Sequence, residues 1–175
     1  MAAKICSDFK QVFFWHCIFK QLVKKIMKIL SAMGGGIAGA VALTLLHETI
    51  RRKNADAPRM DLLGIQALAK SLKTVDAPVP DEHKLFKITM AGDVLSNSLY
   101  YSIAGIADEN GAILRGTLLG LAAGIGAVYL PKPLGLNPAP AARTFQTRLM
   151  TIALYLAGGV VAGVTGKLIE NKSNL

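Results

Sequence analysis

Residues 31–48 read SAMGGGIAGAVALTLLHE. Small residues crowd the first half of the stretch (Gly34, Gly35, Gly36, Ala38 and Gly39). It then stays apolar until His47, Glu48 and the basic cluster Arg51, Arg52 and Lys53. Residues 29–46 are 18 positions without a charge. At a rise of 1.5 Å per residue a helix of that length covers ~27 Å, about the hydrocarbon thickness of a bilayer. The stretch is therefore expected to be a first transmembrane helix.

The composition of the rest agrees with that placement. The chain has 175 residues, of which 52% are hydrophobic and 18% charged, with a mean hydropathy of +0.41. Soluble domains carry about 25% charged residues, and here the charges cluster between apolar runs. Net charge is +9. The cations border apolar segments, where they orient helices and meet anionic headgroups. There is no basic stripe interleaved with aromatics on a polar domain, so nucleic acid is not an expected partner.

Three further spans follow. Residues 88–107, ITMAGDVLSNSLYYSIAGIA, are the least apolar: Asp93 and Asn97 lie four apart and Tyr100 continues their side, so one stripe is polar. A membrane helix turns such a stripe inward, because a lipid-facing carboxylate costs about 2.5–3.5 kcal/mol. Residues 112–130 and 147–166 are the third and fourth spans. The short acidic turn 108–111 makes spans two and three an antiparallel pair. Between spans one and two, residues 60–73 place Ile65, Leu68, Ala69 and Leu72 on one face. That segment is too short to cross and is expected to lie at the interface, with Asp56 as its N-cap. The four prolines of residues 131–143 suggest an extended loop.

Small residues recur at a spacing of four: Gly35 and Gly39 in the first span, Gly116, Gly120 and Gly124 in the third, Gly159 and Gly163 in the fourth, with Gly158, Ala162 and Gly166 as a parallel row. Lipid tails are as apolar as Leu, so helices in a bilayer associate by close backbone approach, which small residues permit. The motif does not specify the partner: the same chain, a second copy or another membrane protein all fit. A faint internal echo accompanies the rows. GAVAL at 39–43 matches GAVYL at 126–130 in four of five positions, and the polar loops NADAPR at 54–59 and NPAPAAR at 137–143 follow them. Two helices plus two in the same orientation would be a parallel repeat.

Residues 1–26 differ from the remainder. They hold Trp15, both cysteines (Cys6 and Cys17) and four of six Phe. Their apolar run is too short to span. Phe9, Val12, His16, Phe19, Val23 and Ile26 fall near one helical face with Lys10, Lys24 and Lys28 opposite, so the segment reads either as an interfacial amphipathic helix or as a non-native extension before a start at Met27. Counted from Met27, the two long loops carry eleven Lys and Arg against four on the other side. The positive-inside rule then places the long loops in the cytoplasm, in the inner membrane if the source is bacterial. Counted from Met1 the figures are eleven and nine, and the asymmetry fades.

Ionisable groups at membrane depth are functional candidates by default. His47 and Glu48 end the first span on the side where Asp93 begins the second, so these three, with Asn97 and Tyr100, form the candidate polar site. His47 and Glu48 alone make no metal motif, and there is no P-loop, GxSxG or dinucleotide fingerprint, so neither cofactor nor metal is expected. The sequence thus points to an all-α polytopic membrane protein, a four-helix transmembrane bundle with an extra interfacial helix. Its expected role is non-enzymatic, through packing with itself or a partner in the lipid bilayer. The alternative is a small transporter or channel using Asp93 with Glu48, His47 and Asn97.

Overall fold

The computed structural model describes residues 2–107 and 111–173, without the side chains of 2–14, 16, 17 and 173. The expectations for Cys6, Cys17 and the early amphipathic face, for the acidic turn 108–110 and for the last two residues of the tail lie outside the described residues.

The described residues are helical, with no strand among them. Helix α1 runs from Ala2–Lys53 without a break at Met27. No proline interrupts it, and Arg51, Arg52 and Lys53 in its last turn complement the negative end of the helix dipole. Asn54 ends it: its Oδ1 accepts from the Asp56 amide at 2.8 Å, a side-chain mimic of a turn. Helix α2 is Met60–Thr74. Its N-cap position is Arg59, without a side-chain cap, and Asp61 sits in its first turn. Asp56 is therefore not the cap; Asn54 has folded it into the preceding turn, and the rigid Ala57-Pro58 pair separates it from the helix. Asp76, with φ of 54°, closes α2 in the left-handed region. Helix α3 is Glu82–Ser102, capped by Asp81, whose Oδ1 accepts from the Lys84 amide at 3.0 Å. A 3-10 turn, Ile103–Gly105, extends it.

Helix α4 is Ala112–Tyr129, a short helix α5 is Ala139–Ala142, and α6 is Phe145–Ser173. Residues 130–143 are not extended. Leu134, Gly135 and Leu136 bond back to Leu130, Lys132 and Pro131 as successive turns, with Gly135 at φ +68°, and Pro140 sits in the first turn of α5, where a missing N–H costs nothing. Prolines here nucleate turns rather than extend the chain.

Three helices, within Ile18–Lys53, Ala112–Tyr129 and Phe145–Lys172, are long and apolar enough to cross a membrane. α6 is the hub. α1 packs along one side of it and α4 along the other, α3 packs on α1 and reaches α6 through Tyr101, and α2 lies across α3. The contact faces are built from small residues. A Cβ on Gly35 would sit 2.6 Å from the Ala162 carbonyl oxygen, and one on Gly39 2.6 Å from that of Gly158. On the other side of α6, a Cβ on Gly163 would sit 2.6 Å from the Ala112 oxygen, and one on Gly124 2.7 Å from the Ile152 Cα. The two parallel rows of α6 thus serve two neighbours, both within this chain. α1 is also two-sided: Gly36 lies against Ser98 and Ser102 of α3, and Ala32 against Gly105.

The surface is unlike that of a water-soluble bundle. The largest fully buried side chains among the described residues are Tyr101, Thr147, Thr151, Pro58 and Ser31, and a few leucines such as Leu43 and Leu154 join them in the core. Many other large aliphatics face out: Leu114 and Leu118, opposite the glycine row of α4, are 64% and 55% exposed. Small and hydroxyl residues at helix contacts with large aliphatics on the outside is what association in lipid selects; a surface so apolar would aggregate in water.

The two loops that echo each other in sequence meet in space. Arg59 N–H donates to the Pro140 carbonyl at 2.8 Å. Thr147 Oγ1 donates to the Asp56 carbonyl at 2.9 Å, and Arg143 to the Ala55 carbonyl at 2.6 Å. Helix packing does not share that symmetry. α1 lies close along α6, whereas the corresponding pair, α3 and α4, touch little.

Candidate functional site

The stripe on α3 begins earlier than its charge suggests. Thr89, Asp93, Asn97 and Tyr100 follow one another at spacings of four, four and three, so they line one face. Asn97 Nδ2 donates to Asp93 Oδ1 at 3.1 Å. Tyr100 hydroxyl donates to the Leu119 carbonyl of α4 at 3.1 Å, and Arg115 Nε of α4 donates to the Ala104 carbonyl at 2.9 Å. These two bonds tie α3 to α4 near their connecting turn. Beyond Tyr100 the helices diverge, and the gap becomes a cleft.

Asp93 stands between two spaces. The first is a cavity of about 20 Å³ whose lining includes His47, Asp61, Thr89, Asp93, Thr151 and Tyr155. It has room for one water-sized molecule. Thr89 Oγ1 is buried there without a hydrogen-bond partner among the described residues. The second is the open cleft of about 630 Å³ between α3 and α4. Asp93, Ser96, Asn97 and Tyr100 form one wall; Ala123, Ala127 and Leu130 belong to the other. Tyr155 of α6 is at its floor, and α2 with the turns at 131–136 closes the loop end. Lys70 Nζ fastens that closure by donating to the Leu134 carbonyl at 2.7 Å.

His47 and Asp93 thus share the small cavity, and Asp93, Asn97 and Tyr100 share the cleft. His47 also bonds through Nε2 to the Pro58 carbonyl at 2.7 Å, which fixes its ring against the loop. Glu48 does not join them. It points away and binds Arg51 through Nε at 2.9 Å and Arg52 through Nε at 2.9 Å. Its neighbour network continues through Arg51 to Asp61 at 3.7 Å. Arg59 grips Asp61 in a two-pronged pair, Nε to Oδ1 at 3.0 Å and NH2 to Oδ2 at 2.9 Å. Burial opposes the charge on Asp61, but the Arg59 hydrogen bonds, the Leu62 amide and Arg51 outweigh it and hold the carboxyl below its ordinary value.

Thr89, Asp61, Tyr155 and Ser96 belong to the site's walls and escaped the sequence reading. Thr89 was within reach, four residues before Asp93 on the same helical face. Asp61 and Tyr155 arrive from elements far along the chain, and no local pattern marks them. The helix-packing glycines Gly35, Gly39, Gly116, Gly120, Gly124, Gly159 and Gly163 all lie on helix contacts. No family model, curated protein or solved structure matches this chain.

Proposed function

We propose that the chain is a four-span integral membrane protein without enzymatic activity, whose tightly packed bundle holds a polar intramembrane site and engages itself or a membrane partner. The burial pattern carries this reading: glycines and hydroxyls at the helix contacts, and large aliphatics exposed along the apolar helices. α3 is the fourth span. Its outer face presents Ile88, Leu95, Leu99, Ile103 and Ile106, and its polar face turns toward the bundle, as the cost of a carboxylate in lipid requires. α2 rests at the interface, and the long-loop end faces the cytoplasm. Two measurements test it. Protein that leaves the membrane pellet in a high-pH wash is not integral. With Cys6 and Cys17 replaced by Ser, single cysteines placed at Ala77 and Gly111 should label from opposite sides of the membrane; labelling from one side removes the fourth span.

A second reading, transport through Asp93 with His47 and Asn97, is favoured by one observation. The cavity between His47 and Asp93 has space for a water beside the Thr89 hydroxyl, which has no hydrogen-bond partner among the described residues, and such a space is what a relay for a proton or small cation needs. Glu48, held by two arginines, has no part in it. Asp93→Asn should abolish transport at a normal membrane level; unchanged flux of every ion and solute tested sinks the reading.

A further inference from the structure

We propose that the cleft between α3 and α4 is a binding site for a cationic amphiphile, an ammonium group on an apolar body, with the ammonium at Asp93. This rests on the membrane reading above but not on transport.

The lining chemistry selects the charge. Asp93 is the one charged residue in the wall of the cleft among the described residues. Its hydrogen bond there comes from the neutral Asn97 amide, and no ion pair within 4.0 Å holds it among the described residues. On the cleft side this carboxylate meets no cation among the described residues, His47 lying across the separate small cavity, and a ligand cation supplies one there. The hydroxyls of Ser96 and Tyr100 flank it as further acceptors. A phosphate, sulfate or carboxylate head would find no Lys, Arg or His in the lining and would meet the Asp93 charge instead.

The opposite wall selects the body. Ala123 and Ala127 of α4 and Leu130 just beyond it, with Leu63 and Ala67 of α2, offer apolar surface without competing polar groups. The half-buried carboxylate and the two closed ends favour a small molecule over a partner helix. The cleft measures about 630 Å³. That volume lies within the range of small-molecule sites, about 300–1,000 Å³. Tyr100, tied to Leu119, and α2, fastened by Lys70, close the two ends and give the cleft a finite length.

The test is photo-crosslinking of the full chain in phosphatidylcholine nanodiscs with a diazirine-bearing dodecylammonium, mapped by mass spectrometry, beside the matching dodecanol. The ammonium probe should label peptides from residues 60–67 and 119–136, and the alcohol should label them about tenfold less. Asp93→Asn should lower the ammonium labelling to the level of the alcohol. Ala127→Trp, which fills the cleft and leaves the charge in place, should lower both and guards against loss of fold in the first variant. Equal labelling by the two probes overturns the proposal, and so does ammonium labelling spread over the outer ridges at Leu114, Leu118, Leu95 and Leu99. Extraction of the protein at high pH would instead count against the membrane reading itself.

Discussion

Gly116 and Gly159 face each other so closely that a Cβ on either would run into the carbonyl oxygen of the other. The contact joins α4 to α6 at backbone distance, and Gly120 lies beside it, with its Cα 2.9 Å from where a Gly159 Cβ would stand. The obstacles are backbone atoms, which cannot rotate aside. Gly159→Ala should therefore destabilise the bundle by about 1–3 kcal/mol, the range for over-packing, despite the better helix propensity of alanine. Gly92 of α3 is the matched control, because a Cβ there meets nothing within 4 Å. Gly92→Ala should raise stability by about 0.5–1 kcal/mol. Thermal unfolding of both variants in one detergent checks the pair, and equal shifts would refute the role assigned to the α4–α6 contact.

Thr147 is fully buried and locks α6 to the first long loop through the Asp56 carbonyl at 2.9 Å. Thr151, one turn on, reaches the Ala141 carbonyl at 2.9 Å. Together they seat both echoing loops on the same end of α6. Thr147→Val keeps the shape, removes the donor at a buried position and leaves the Asp56 carbonyl without that partner. A loss of about 1–3 kcal/mol follows from the asymmetry between making and orphaning a buried hydrogen bond. Limited proteolysis should then cut within residues 54–59 faster than in the parent.

The hydrophobic length of residues 29–46 and the rows at Gly35, Gly116 and Gly159 are local properties, so the membrane class and the packing faces are legible in the sequence. Which row meets which neighbour is not. That α6 turns Gly158 to α1 and Gly159 to α4 depends on where the loops let the helices lie, and the lock between residues 54–59 and 137–143 acts across more than 80 positions of chain. The polar stripe of α3 could be read from its spacing, but the cleft could not. It exists because α3 packs on α1 rather than α4, through Gly36 against Ser98 and Ser102. Glu48 misled for a simple reason: position placed it beside His47, while Arg51 and Arg52, three and four residues on, lay within easier reach.

Tyr101 is 1% exposed, and its hydroxyl donates to the Tyr155 carbonyl at 2.8 Å. That carbonyl lies within α6, where it also serves the helix ladder. Tyr101→Phe therefore orphans nothing. It should cost about 1 kcal/mol, the net worth of one intramolecular hydrogen bond, and less than Thr147→Val. A reversed order in thermal unfolding would contradict the distinction between loop and helix acceptors.

Asp61 couples stability to acidity. Its folded value lies below the ordinary 3.8. Over the interval between the two values the unfolded chain binds the proton more tightly, so stability falls as pH falls. The contribution is complete above about pH 4 and is lost as pH drops through the folded value. Arg59 is 44% exposed, so water screens part of the pair, and Asp61→Asn should cost about 1–2 kcal/mol at pH 7. The gap between parent and variant should then narrow as pH falls below about 4 and close once pH passes the lowered folded value, measured by thermal unfolding in detergent across pH 2–7. A gap independent of pH would show that Asp61 acts by shape and not by charge.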